Sequence, residues 1–158
     1  MIKNKRVNNL VICFLVLFNS PNINASPERY CDFDCTLDRH LKAIQQKDFE
    51  LFSSTLTQGE RLTFILPNGK FSEDIQSYKK LLKNWFATDG WTFSTKVIAI
   101  EKTKEMVSAL LLVSYDELER NGKPYHLDHY LSLVFKKENG HWGLVHDQNT
   151  KTSLKKSN

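Results

Sequence analysis

Two periodicities divide the chain. Ahead of Trp91 apolar residues recur every three or four positions, and beyond it they alternate with polar ones. Leu37, Leu41 and Ile44 share one stripe of a helix, with Asp34 or Thr36 placed to cap its start. Phe49, Phe52 and Leu56 mark a second, short helix from Asp48, and "TQGER" interrupts it at Gly59. "LTFILPNGKF" reads as two short strands joined by a Pro-Asn-Gly turn. Ile75, Tyr78, Leu81, Leu82, Trp85 and Phe86 then line a third helix, which ends at "TDG", where Gly90 suits a left-handed cap.

The alternating part holds four strands: "WTFSTKVIAIEK", "EMVSALLLVSYDEL", "YHLDHYLSLVFKKE" and "HWGLVHDQNT". The connections "TK", "ERNGKP" and "NG" are too short for anything but antiparallel neighbours. Helices first and a long meander last predict an α+β domain, with the helices laid across one face of a bent sheet.

Period two also sorts side chains by face. Val107, Ala109, Leu111, Val113 and Tyr115 form one apolar row, and Tyr125, Leu127, His129, Leu131, Leu133 and Phe135 form another. On the last strand Trp142, Leu144, His146 and Gln148 share the face expected to point inward. His141, Gly143, Val145, Asp147 and Asn149 share the other face, expected to point outward, where Asp147 and Asn149 would stand near a dimer contact. The adjacent His146 and Asp147 cannot both enter one pocket without a bulge.

Composition changes the picture at the N-terminus. Lys3, Lys5 and Arg6 precede the apolar run Leu10–Phe18, and Ala25 closes a short polar stretch. This is the layout of a cleavable signal peptide over residues 1–25. The apolar run is short of the about 20 residues that span a bilayer. All three basic residues leave with that leader and no acidic one does, so the formal net charge falls from +4 to +1. Without a concentrated basic face, nucleic acid is excluded as a partner, and no membrane association is expected once the leader is removed. Export to a periplasmic or extracellular space makes a Cys31–Cys35 disulfide the expected state of "CDFDC", within an N-terminal segment 26–35. A basic tail follows at 153–158.

Over residues 36–152 the element order resembles the nuclear transport factor 2-like superfamily, in particular its SnoaL-like branch. The closing strand carries the most specific part, "W-x-x-V-H-x-Q-x-T" from Trp142 to Thr150. A similar strand closes the association domain of calmodulin-dependent kinase. The resemblance implies a cone-shaped, cystatin-like fold around a pocket, as in ketosteroid isomerase. It also implies either isomerase, cyclase or dehydratase chemistry on small apolar molecules, or binding and assembly without chemistry.

His129 and His146 are the candidate acid–base residues, because histidine titrates near neutrality. Tyr115, Trp142, Gln148 and Trp85 are the candidate ligand contacts. Strand alternation supplies no inward carboxylate, which argues against ketosteroid isomerase chemistry. A metal is not expected, since His126 and His129 face opposite ways, and nothing calls for a cofactor. The expected partners are a small apolar ligand and a second copy of the chain. The latter would pair through the outer sheet face carrying Met106, Leu110, Leu112 and Tyr130.

Overall fold

The computed structural model describes residues 31–152. The leader at 1–25 and the tail at 153–158 lie outside the described residues. Three helices, α1 (Phe33–Gln46), α2 (Phe49–Ser53) and α3 (Ile75–Phe86), accompany six strands. The strands are β1 (Arg61–Ile65), β2 (Phe71–Asp74), β3 (Trp91–Lys102), β4 (Met106–Arg120), β5 (Lys123–Glu138) and β6 (His141–Lys151).

Each helix begins on an aspartate. Asp32 accepts from the Cys35 amide, Asp48 from the Leu51 amide, and Asp74 from the Gln76 and Ser77 amides. Such caps satisfy amides that have no partner inside the helix. The cap of α1 is therefore Asp32 rather than Asp34 or Thr36. The third helix stops at Phe86 on Ala87, and Gly90, with φ +77°, instead opens β3. Cys31 and Cys35 flank the first cap with their sulfurs at bonding distance and their Cα atoms 5.3 Å apart.

All six strands join one sheet in the order β2-β1-β6-β5-β4-β3. The neighbours are antiparallel except β1 and β6, which run parallel through Thr63–His146, Phe64–Asp147 and Ile65–Gln148. Curvature wraps the inner face around the helices. The expected apolar rows of β4 and β5 form that face: Val107, Ala109, Leu111, Val113, Leu131, Leu133 and Phe135 are all buried. Phe33, Leu37 and Ile44 of α1, Phe52 of α2, and Ile75, Tyr78 and Phe86 of α3 cover it.

Ahead of β1, residues 55–57 run parallel along the same edge of β6. The Leu144 amide donates to Thr55 O (2.9 Å), and the Thr57 amide donates to Leu144 O (3.0 Å). Gly143 permits this approach, since a Cβ there would lie 2.8 Å from Thr57 Cα and 3.1 Å from Leu56 O.

Candidate functional site

One residue decides which side chains enter the cone. Phe135 pairs with Leu144, but its neighbour Val134 pairs with His146, so Val145 is an extra residue on β6. This β-bulge shifts the alternation by one. Before it, Trp142 and Leu144 share the inner side with Phe135. After it, Leu133 stands opposite Asp147, Leu131 opposite Asn149, and His129 opposite Lys151. Directly opposed residues point to the same face. Asp147, Asn149 and Lys151 therefore line a cavity of about 440 Å³, together with His129.

The expectation for the last strand is corrected accordingly. His146 and Gln148 occupy the outer face and do not line the cavity, whereas Asp147 and Asn149 do. Trp142 packs edge-on against Phe33 and lines a second, smaller recess with Glu138 and His141. His129, Tyr115 and Trp85 do line the main cavity. Two carboxylates line the cavity: Asp147, which the bulge turns inward, and Glu117, which continues the Tyr115 row of β4.

Asp147 is tightly held. Tyr78 of α3 donates its hydroxyl to Oδ2 at 2.6 Å, and Asn149 donates its amide to Oδ1 at 2.7 Å. Asn149 also donates to Ile65 O at 3.3 Å. Burial lifts the Asp147 carboxyl from 3.8 to about 6, against the lowering effect of the Tyr78 and Asn149 hydrogen bonds. Burial and the neighbouring carboxylate drive the Tyr78 hydroxyl well above its ordinary value.

His129 is 4% exposed, and its Nδ1 has no hydrogen-bond partner. Burial lowers its pKa, while the nearby Asn149 side chain opposes that shift. The ring is therefore neutral near pH 7.

A second polar group sits elsewhere on the cavity wall. Tyr115 donates to Glu117 Oε1 at 2.5 Å and accepts from the Trp85 indole at 3.2 Å. Arg120 pairs with both Glu117 oxygens, and its guanidinium lies 3.5 Å from the Tyr125 ring centroid. Burial and the bond to Glu117 push the Tyr115 hydroxyl up to about 12. Between the two polar groups the walls are apolar, including Ile44, Phe64, Leu82, Phe93, Leu127 and Leu131. Such a cavity buries an apolar body and presents polar groups at defined points. Among the described residues, no cluster of three or more His, Cys, Asp or Glu is arranged to hold a metal ion.

Asp147, Asn149 and Tyr78 of this site, and the Glu117–Arg120 pair across the cavity, escaped the sequence reading. The signal was faint but present. Leu144 and Val145 are consecutive apolar residues in a strand otherwise read as alternating, and an inward tyrosine on α3 requires a partner for its hydroxyl.

Comparison with known proteins places this geometry. The SnoaL-like domain matches residues 34–149. Among solved structures, a proposed calcium/calmodulin-dependent protein kinase type II association domain from Thiobacillus denitrificans superposes with a TM-score of 0.66 at 10% identity, over 78% of this chain and 98% of that one. A proposed dehydratase of the nuclear transport factor 2-like family from Streptomyces avermitilis gives 0.65 at 12% identity, over 77% and 94%. A proposed ketosteroid isomerase from Shewanella frigidimarina gives 0.59 at 17% identity, over 73% and 91%. These likenesses establish the nuclear transport factor 2-like fold, an α+β cone. No functionally curated protein matches the sequence significantly. With the family match spanning most of its length, the chain belongs to the SnoaL-like domain family.

Proposed function

We propose that this protein is an exported pocket protein that binds a small, largely apolar molecule and moves a proton on it. Asp147 is the acid–base group, and His129 stands two register positions farther along the same face, with the Asn149 side chain between them. One observation carries this reading: the Val145 bulge turns the Asp147 carboxylate into the cavity that a buried histidine also lines. A carboxyl lifted to about 6 can both take and release a proton near neutral pH. Tyr78 and Asn149 fix its orientation, which removes an entropic cost from proton transfer. The proposed dehydratase and ketosteroid isomerase among the structural neighbours are consistent with such chemistry.

The decisive experiment identifies the ligand first. Native mass spectrometry of protein purified from the exported fraction would reveal a co-purifying molecule. Proton NMR in heavy water would then follow exchange at its carbon-bound hydrogens. Exchange that the protein accelerates, and that Asp147→Asn abolishes while binding persists, is the expected result. A ligand that binds without accelerated exchange would assign the pocket to binding alone.

Export rests on the leader, and it makes the Cys31–Cys35 pairing a disulfide formed in an oxidising compartment. The expected intact mass of the exported protein is that of a chain beginning at Ser26 and two hydrogens lighter than its reduced form. A full-length chain with free thiols would refute export.

A second reading concerns assembly. Leu112 faces Tyr130 across β4 and β5 on the outer sheet face, both half-buried, and Met106 on the same face is 46% exposed. This apolar ground supports a homodimer through that face. Sedimentation of the wild type against Leu112→Lys tests it, with conversion of a dimer to a monomer expected.

A further inference from the structure

The inward row of β6 continues past the acid–base group to a cation. Asp147, Asn149 and Lys151 stand opposite Leu133, Leu131 and His129, and all three line the cavity. Asp147 and Asn149 are half-buried, whereas Lys151 is exposed. Lys151 therefore marks the wet end of the cavity and Asp147 a drier one. Four residues of strand separate them, roughly 13 Å at the rise of an extended chain.

The other charges of the cavity are already engaged. Arg120 donates to both oxygens of Glu117, so that pair is neutral as a unit and Glu117 is not free to take a second cation. Asp147 accepts from Tyr78 and from Asn149. Lys151 differs from these. Among the described residues its ammonium, with three N–H donors, has neither a hydrogen-bond nor an ion-pair partner. Apolar wall from Leu127 and Leu131 lies along the same cavity.

We propose that the cavity takes an apolar acid, whose carboxylate pairs with Lys151 while its ring or hydrocarbon body lies along the β5 wall toward Asp147. This names a ligand class for the proposed function of the cavity and rests on that reading. A carboxylate at Lys151 gains charge-assisted hydrogen bonds and keeps part of its hydration at the wet end. An ester or amide carbonyl can accept from the same ammonium, but it brings no charge and gains less. An ammonium head group would be repelled at Lys151 and would have to shed its water to reach Asp147. The arrangement also orients the ligand for chemistry. A head group fixed at Lys151 directs the far part of the body to the acid–base group.

Isothermal titration calorimetry on the mature chain at pH 7.5 tests this with a matched set of bicyclic probes. The set is 2-naphthoate, methyl 2-naphthoate, naphthalene and 2-naphthylmethylammonium. The naphthoate should bind about fivefold more tightly than its methyl ester, the upper range for an exposed ion pair. Added salt at about 0.5 M should shrink that ratio. Lys151→Gln, at the exposed end of β6, should bring acid and ester to equal affinity and leave naphthalene binding unchanged. Should this variant not fold, the wild-type ratio and its salt dependence decide. Three results would overturn the inference and leave the small-molecule reading standing. They are equal affinities for acid and ester in the wild type, a preference that persists in folded Lys151→Gln or disappears only in Arg120→Gln, and tightest binding by the ammonium probe. No binding by any probe would overturn both the inference and the small-molecule reading of the cavity.

Discussion

Leu133 on β5 and Asp147 on β6 stand directly opposite each other, and Leu133 is fully buried. Opposed residues share a face, so the carboxylate takes the inward direction of the leucine. The same sheet that builds an apolar floor therefore sets an ionisable group into it. Its ionised form loses hydration there, and Tyr78 and Asn149 offset that loss only in part.

This has a signed consequence for stability. The folded-state pKa of Asp147, about 6, is above the ordinary 3.8, so the native protein holds this proton more tightly than the unfolded chain does. The group's contribution is most favourable below about 3.8 and is lost as pH rises through about 6. Asp147→Asn removes the titration. Urea unfolding of both proteins across this window should show the variant gaining on wild type by about 2–3 kcal/mol as pH rises. Parallel curves would disprove the buried carboxylate.

His40 acts in the opposite direction. It is buried against Phe52 and Phe135, with Nδ1 2.8 Å from Thr55 Oγ1, and burial alone lowers its pKa from 6.5 to about 3. Stability from this group is complete above 6.5 and is lost as pH falls toward 3. His40→Leu should remove an acid-side loss on the order of 4 kcal/mol, while Thr55 keeps its bond to Phe52 O. An unchanged acid limb in chemical denaturation would refute it.

Tyr78→Phe separates the two supports of Asp147. The lost bond lowers the carboxyl pKa in the native protein, so the variant should titrate above about 6. Carbon-13 NMR of aspartate-labelled protein reads the shift directly. The expected loss of stability is about 1–3 kcal/mol, measured where Asp147 is ionised. A carboxyl titrating at or below its wild-type position would contradict the contact.

Gly143→Ala tests the seam between the 55–57 segment and β6. The added methyl would press on backbone atoms of Thr57 and Leu56, which cannot swing aside. A destabilisation of about 2–3 kcal/mol is expected in thermal melts, as for other overpacked sites. Gly122→Ala, with open space but φ +79°, should cost about 1 kcal/mol from backbone strain alone. Equal losses in the two variants would show that the seam is looser than its geometry.

Much of the scaffold was legible because its determinants are local and periodic. The rows of β4 and β5 repeat without interruption over long strands, so Leu111, Leu131 and His129 could be assigned to the inner face from spacing alone. The element order carried the fold class for the same reason. The last strand defeated that logic at Val145. A bulge depends on the partner strand and on the parallel docking of β1, neither of which leaves a period in the sequence. Every residue after it was consequently assigned to the wrong face, which exchanged His146 and Gln148 for Asp147 and Asn149. Trp142 lies before the bulge and faces inward as expected, but it falls at the far end of the cone from the main cavity.

The parallel contact of β1 with β6 also sets the order in which the cavity can come into being. Tyr78 and Asp147 are 69 residues apart, and no hairpin can bring them together. A chain that has formed only the β3–β5 meander owns the apolar floor and His129, but it lacks the carboxylate and the closing edge. Such non-local pairing is a slow step in folding. A ligand that needs the finished corner has nothing to grip until β6 is docked, so its binding energy acts entirely on that last step. Ligand occupancy would then serve as a reporter of completed folding, and protein made in its presence should resist proteolysis within β6 before any other strand gains protection.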